Sequence, residues 1–144
     1  MIIKKHIGEN NDYTSNTLVE SFPDGLDCEI MKYSALEKAW RNACLQSERE
    51  HVTLYIKNGD FKKKIILCEG DRKNFRWTLD TEKDYYFIKM VYERLYYENN
   101  FFVSKDIYRL LKEEPEIMEI NKGIVRNEGL LKSLENDRKV GDIL

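Results

Sequence analysis

The sequence has few cysteines and no long apolar run. Cys28, Cys44 and Cys68 are widely separated and form no CxxC pair, which argues against a zinc site and against a disulfide framework. No segment approaches the roughly 20 apolar residues of a membrane span, and the N-terminus has no apolar run long enough for a signal peptide. These absences predict a soluble protein in a reducing cytoplasm.

The sequence also lacks an excess of one charge, since 24 basic residues stand against 26 acidic ones in a chain of 144. Binding of nucleic acid or of an anionic membrane by bulk electrostatics is therefore not expected. The hydrophobic content of 42% suits one ordinary domain with a sizeable core. Because no repeat or linker divides the chain, residues 1–144 are predicted to form a single unit.

Short apolar runs alternate with helical patterns, which predicts an α/β protein. Strands are predicted at residues 28–33, 64–68 and 75–79, and the polar stretch 8–21 is interpreted as a loop or an extended segment. Helices are predicted to begin at hydroxyl-bearing caps: Ser34, Ser47, Thr81 and Ser104. A last helix is predicted at 129–139, so about 104–144 forms a helical tail.

Asp80 ends the run 75–79 and directly precedes a helical pattern. One interpretation is a helix cap, because Asp and Thr are favoured N-caps and Thr81 with Asp84 resembles a capping box. The other interpretation is a metal ligand at the end of a strand. Local sequence favours the cap, and Asp84→Asn is expected to have little effect on turnover.

Three carboxylates, Asp24, Asp27 and Glu29, surround a Pro-Asp-Gly turn. Turn chemistry explains them, because Asp side chains satisfy nearby backbone N–H groups. Contact with a substrate explains them equally well, because Asp27 and Glu29 share one face of a strand.

The helix predicted to begin at Thr81 carries a stripe that contains both tyrosines and aliphatic residues: Tyr85, Ile88, Val91, Tyr92, Leu95 and Tyr96. This stripe is interpreted as core, with a partner surface as the alternative. Arg76 is expected to pair with a nearby carboxylate.

Four stretches together carry a family resemblance: YTSNTLVESFPDGLDCEIMKYSALEKAW (13–40), SEREHVTLYI (47–56), FRWTLDTEKDYYFIKMVYERLY (75–96) and IVRNEGLLKSL (124–134). In order and spacing they resemble the cytidylyltransferases of the spore coat polysaccharide biosynthesis type, relatives of the acylneuraminate and KDO cytidylyltransferases. The resemblance implies a partial nucleotide-diphospho-sugar transferase-like fold, with a small mixed sheet flanked by helices and a helical C-terminal part.

Enzymes of that family hold the CTP phosphates on a loop of the G-x-x-R-x-x-x-K type, and none of the seven glycines here begins such a motif. The resemblance therefore covers the C-terminal part of the family's domain. It implies a portion of a CMP-sugar-forming enzyme that is inactive alone and needs an N-terminal half to bind CTP. The alternative is a non-catalytic module that binds a partner or a sugar.

In a complete enzyme, the resemblance implies that Asp80 is one ligand of a magnesium ion. It further implies that a set of charged side chains contacts the sugar acid or the phosphates: Asp24, Asp27, Glu29, Arg49, His51 and Arg76. No residue is assigned as a catalytic acid, base or nucleophile. An unpaired sheet edge in a half-domain, or the tyrosine-rich helix at 81–97, predicts a homo-oligomer, with a two-fold dimer expected.

Overall fold

The computed structural model describes residues 2–70 and 72–140. These residues form two compact units. Unit 1 contains residues 2–21, 27–70 and 125–140, and unit 2 contains residues 22–26 and 72–124.

Unit 1 holds a three-stranded sheet with the order β2-β1-β3. The strands are β1 (Tyr13–Ser15), β2 (Glu29–Met31) and β3 (Lys63–Ile65). The central strand β1 pairs antiparallel with β2 and parallel with β3. The sheet is therefore mixed, as predicted, although its central strand lies in the stretch interpreted as a loop or an extended segment.

Helices make up most of the remaining regular structure. They are α1 (Ile2–Gly8), α2 (Tyr33–Asn42), α3 (Gln46–Glu50), α4 (Leu54–Asn58), α5 (Glu82–Leu95), α6 (Ser104–Glu113), a 3-10 helix (Pro115–Glu119) and α7 (Glu128–Glu135). Together with the sheet they form the predicted α/β fold. Within the described ranges, no helix is long and apolar enough to cross a bilayer.

Each unit has its own apolar core. In unit 1, Tyr13 of the central strand packs with Ala35 and Ala39 of α2 and with Ile56 of α4. In unit 2, one face of α5 packs against α6 and the 3-10 helix, through Phe87, Val91, Leu95, Leu110, Leu111 and Ile117. Burial of these side chains is the main favourable contribution to the folding of each unit.

The tyrosines of α5 lie outside that core. Tyr85, Tyr92 and Tyr96 are each about half exposed, at 52%, 51% and 49%, whereas Val91 and Leu95 are buried. The interpretation of the stripe as core is therefore confirmed for the aliphatic residues and wrong for the tyrosines. The buried face of α5 is narrower than the apolar pattern suggested.

The strand predicted at residues 75–79 is wrong. This segment forms only an isolated parallel bridge between Arg76 and Asp24. The facing chain cannot extend the pairing, because Pro23 has no N–H group and Gly25 turns away with a φ of 96°. A Cβ atom at Gly25 would lie 2.7 Å from the carbonyl oxygen of Trp77, so the turn has room only for glycine.

Of the predicted caps, only Thr81 is confirmed. Its hydroxyl accepts from the Asp84 N–H at 3.2 Å, and Asp84 accepts from the Thr81 N–H at 3.0 Å, which completes a capping box at the start of α5. The predictions for three serines are wrong: Ser34, Ser47 and Ser104 each lie inside a helix rather than at its N-cap. At α3, the side chain of Glu48 accepts from the Leu45 N–H instead.

Candidate functional site

Arg76 lies at the centre of an ionic cluster in unit 2 and is only 11% exposed. Its Nη1 donates to Asp24 at 2.7 Å, while Nε and Nη2 donate to the two oxygens of Asp84, each at 3.0 Å. Nη2 also donates to Asp80 at 3.1 Å. The expectation that Arg76 pairs with a carboxylate is met by three aspartates.

Asp84 is the buried anion of this cluster, with no exposed surface. Besides Arg76, its carboxylate accepts from the amide of Asn121 at 2.9 Å and from the backbone N–H groups of Asp80 and Thr81. Burial alone would raise the pKa of the Asp84 carboxyl, but the hydrogen bonds from Arg76 and Asn121 outweigh it and hold the pKa well below its usual range. Asp84 is therefore ionised in the folded protein.

Asp24 and Asp80 occupy different environments beside Arg76. Asp24 is 7% exposed, and its side chain accepts from Arg76. Its backbone N–H donates to the Phe75 carbonyl, and its carbonyl accepts from the Trp77 N–H. The side chain of Asp80 is 68% exposed and does not cap α5. The helix-cap interpretation of Asp80 is therefore wrong, because Thr81 has that role.

Asp80 is the carboxylate of this cluster that is accessible to a metal ion. Within residues 2–70 and 72–140, no group of three or more His, Cys, Asp or Glu side chains is arranged to hold a metal. Magnesium commonly takes only one or two protein carboxylates and completes its shell with phosphate oxygens and water. An exposed Asp80 fits such a single-ligand contribution, with the Arg76 contact on one of its oxygens.

Unit 1 contains a polar cleft of about 550 Å³. Its charged and polar lining residues come from four parts of the unit: Thr17, Asp27, Glu29, His51, Thr53, Lys57 and Asn127. Three of the predicted site residues, Asp27, Glu29 and His51, therefore lie together.

Glu29 is the most heavily bonded side chain of this cleft. One oxygen, Oε1, accepts from the Tyr13 hydroxyl at 2.6 Å, from Lys57 Nζ at 2.7 Å and from the Thr17 hydroxyl at 3.1 Å. Burial alone would raise the pKa of Glu29, but the bonds from Lys57 and Tyr13 lower it overall. Burial also raises the pKa of Tyr13, which therefore stays a neutral donor.

The other wall of the cleft is formed by the segment that contains α7. Arg126 binds Asp27 at 2.9 Å, and the Ser133 hydroxyl lies 3.0 Å from His51 Nε2 and donates to Glu50. The α7 helix itself has no buried residue. Polar contacts therefore contribute to its placement.

Arg49 does not line the polar cleft. It lines a second, mainly apolar cleft of about 350 Å³ together with Trp40.

Sequence reasoning also missed Lys57 of the polar cleft, because no local pattern indicates its ion pair with Glu29, which lies 28 positions earlier.

Comparisons with known proteins give two sequence relatives. No protein-family model matches the chain. An uncharacterized protein of Methanocaldococcus jannaschii is 34% identical over 125 residues, which cover 80% of this chain and 47% of that protein. The spore coat polysaccharide biosynthesis protein SpsF of Bacillus subtilis is 29% identical over 99 residues, which cover 65% of this chain and 40% of SpsF.

A solved structure extends the comparison to the fold. The structure of a cytidylyltransferase from Leptospira borgpetersenii matches with a TM-score of 0.72 and 27% identity, and the match covers 87% of this chain and 53% of that one. The chain is thus a relative of the cytidylyltransferases, within the nucleotidyltransferases. It spans about half the length of the relatives that it matches.

The Arg76 cluster generates a prediction on stability. Asp84→Asn leaves the Arg76 guanidinium buried without its main anion, and we expect it to lower the free energy of unfolding by about 3 kcal/mol. Asp80→Asn removes an exposed ion pair and should cost less than about 1 kcal/mol. Urea denaturation of the two variants measures the difference. Equal losses would contradict the assignment of Asp84 as the buried anion.

The buried carboxylate of Asp84 predicts that the stability of the protein depends on pH. Because the pKa of Asp84 is lower in the folded than in the unfolded protein, its stabilisation is full well above the ordinary value of 3.8 and is lost as the pH falls below it. Asp84→Asn should therefore flatten the fall in unfolding free energy between about pH 5 and pH 2, where the wild type is losing this stabilisation.

Proposed function

We propose that the chain forms the sugar-acid-binding part of a CMP-sugar-forming cytidylyltransferase that acts in the cytoplasm in surface or spore coat polysaccharide biosynthesis. The observation that carries the proposal is the polar cleft of unit 1. The similarity to a solved cytidylyltransferase and to SpsF, which is named for spore coat polysaccharide biosynthesis, supports the reaction class.

The lining of the cleft suits a hydroxylated acid. Every protein donor to Glu29 is bound at Oε1, so within the described residues Oε2 is left to accept a hydroxyl of the ligand. Lys57 and His51 offer donors to a carboxylate, and Asn127 offers both a donor and an acceptor. The cleft volume of about 550 Å³ is sufficient for a monosaccharide acid.

Nucleotidyl transfer needs more than this cleft. In-line attack of a sugar hydroxyl on the α-phosphate of CTP depends on positioning and on neutralisation of the phosphate charge. We infer that a nucleotide-binding half, joined to this chain or supplied as a separate protein, holds CTP. Asp80 would be one ligand of a magnesium ion that neutralises that charge.

A binding experiment tests the cleft directly. We expect isothermal titration of the chain with a panel of nonulosonic and related sugar acids to find a saturable ligand. Lys57→Gln should weaken binding of the acid about tenfold, a loss of about 1.4 kcal/mol, but should change binding of its methyl ester less than twofold. The matched control is Lys64→Gln, a partly exposed lysine of β3 that pairs with Glu9 outside the cleft. No saturable binding, or equal losses for acid and ester, would contradict the proposal.

Turnover tests the role of Asp80. The chain alone, mixed with CTP, magnesium and a sugar acid, should release no pyrophosphate above background. In a complete enzyme with its nucleotide-binding half, Asp80→Asn should lower turnover by about two orders of magnitude, as when one electrostatic stabiliser is lost. Glu82→Gln, an exposed carboxylate at the start of α5, is the control. A complete protein that binds sugar but never releases pyrophosphate would favour a non-catalytic sugar-binding module.

We further propose a two-fold homodimer that uses either the tyrosine face of α5 or an edge of the sheet. Half-exposed tyrosines supply rigid apolar area, and β3 has one unpaired edge within the described residues. Sedimentation of the wild type at high micromolar concentration should show a dimer. Tyr92→Lys should dissociate a helix-mediated dimer, and Ile65→Lys should dissociate an edge-mediated one. A monomeric wild type would contradict the proposal.

A further inference from the structure

We propose that unit 1 has a second binding site beside the polar cleft, with which it shares only Val52, and that this site takes a planar apolar ligand with one negative charge. The site is the cleft of about 350 Å³ that is formed by α2, α3 and Val52, which lies two residues after α3. Its volume lies within the range of small-molecule sites.

Small residues create the depression. Ala39 and Ala43 lie one turn apart at the end of α2 and are only 3% and 6% exposed, so their methyl groups form an apolar floor. Large aromatic side chains stand beside that floor, and both are unusually exposed, Tyr33 at 76% and Trp40 at 67%. A flat ligand that covers these rings removes apolar surface from water and stacks on them.

Both carboxylates that line the cleft have hydrogen-bond donors, whereas the one cation of the lining, Arg49, has no partner within the described part of the chain. Glu37 is bound by Arg41 at 2.7 Å, and Glu48 accepts from the backbone N–H groups of Cys44 and Leu45 at 3.0 and 3.2 Å. For the Arg49 guanidinium, no hydrogen-bond or ion-pair partner is present among residues 2–70 and 72–140. The charge available to a ligand is therefore a single cation.

A guanidinium binds planar anions such as carboxylate or sulfonate through two parallel hydrogen bonds. Leucine, valine and alanine side chains next to it offer no donor or acceptor to a densely hydroxylated ligand. The ligand class of this cleft is therefore an aromatic or heteroaromatic acid, not the sugar acid proposed for the polar cleft.

A pair of fluorescent probes tests this assignment. 8-Anilinonaphthalene-1-sulfonate and N-phenyl-1-naphthylamine share their rings, and only the first carries an anion. We expect the sulfonate to bind saturably at one site per chain and to quench tryptophan fluorescence. Arg49→Gln should weaken the sulfonate at least fivefold and the neutral probe less than twofold. Trp40→Ala should weaken both probes.

The matched control is Lys38→Gln, an exposed cation of α2 that does not line the cleft, which should leave both affinities unchanged. Near-UV circular dichroism of each variant verifies native packing, since loosely packed states also bind this sulfonate. The proposal is overturned if binding is not saturable, if Arg49→Gln and Lys38→Gln have equal effects, or if self-association shields Trp40 from acrylamide.

Discussion

The burial of Arg76 and Asp84 is the constraint on which unit 2 depends. Removing two charges from water costs several kcal/mol for each ion, and the cost is recovered only when every donor and acceptor finds a partner. Here the guanidinium binds three aspartates, and Asp84 also accepts from Asn121 and from two backbone N–H groups. These partners come from segments far apart in sequence, so the cluster fixes residues 22–26, the loop before α5 and residue 121 together.

The cluster also divides two roles between neighbouring aspartates. Asp84 completes the capping box of α5 and binds Arg76, and its side chain is buried in these contacts. Asp80 contributes its N–H to the same cluster, while its side chain remains exposed. The expectation that Asp84→Asn has little effect on turnover stays a prediction, but the burial of Asp84 adds that this variant loses stability. A carboxylate already held by a structural task is poorly suited to bind an external cation, whereas Asp80 keeps that capacity.

Among the features that depend on local sequence, the longer helices were predicted well and the serine caps were not. Helices α5 and α6 follow from apolar spacing, and the capping box of Thr81 and Asp84 follows from residues three apart. Strand β1 was not identified as a strand, because its Tyr-Thr-Ser sequence is polar and it forms only with β2 and with β3, which lies about 50 residues later. The strand predicted at 75–79 lacked a partner of sufficient length, which no local pattern reveals.

Contacts between distant segments also limited the prediction of the candidate site. Asp27, Glu29 and His51 lie in one cleft, but Lys57 and Asn127 complete it from distant segments, and Arg49, two residues before His51, lines another cleft. Side chains at the end of the short helix α3 project in different directions, so closeness in sequence did not imply a shared site. Unit 1 therefore has a polar cleft and an apolar cleft with different chemistry.

A double-mutant cycle tests the central role of the Arg76 cluster most directly. Unfolding free energies of Arg76→Gln, Asp84→Asn and the double variant give the coupling energy between the two side chains. We expect a coupling of about 2 kcal/mol, compared with less than about 0.5 kcal/mol for the same cycle between Arg76 and the exposed Asp80. Equal coupling in the two cycles, or none between Arg76 and Asp84, would contradict the account.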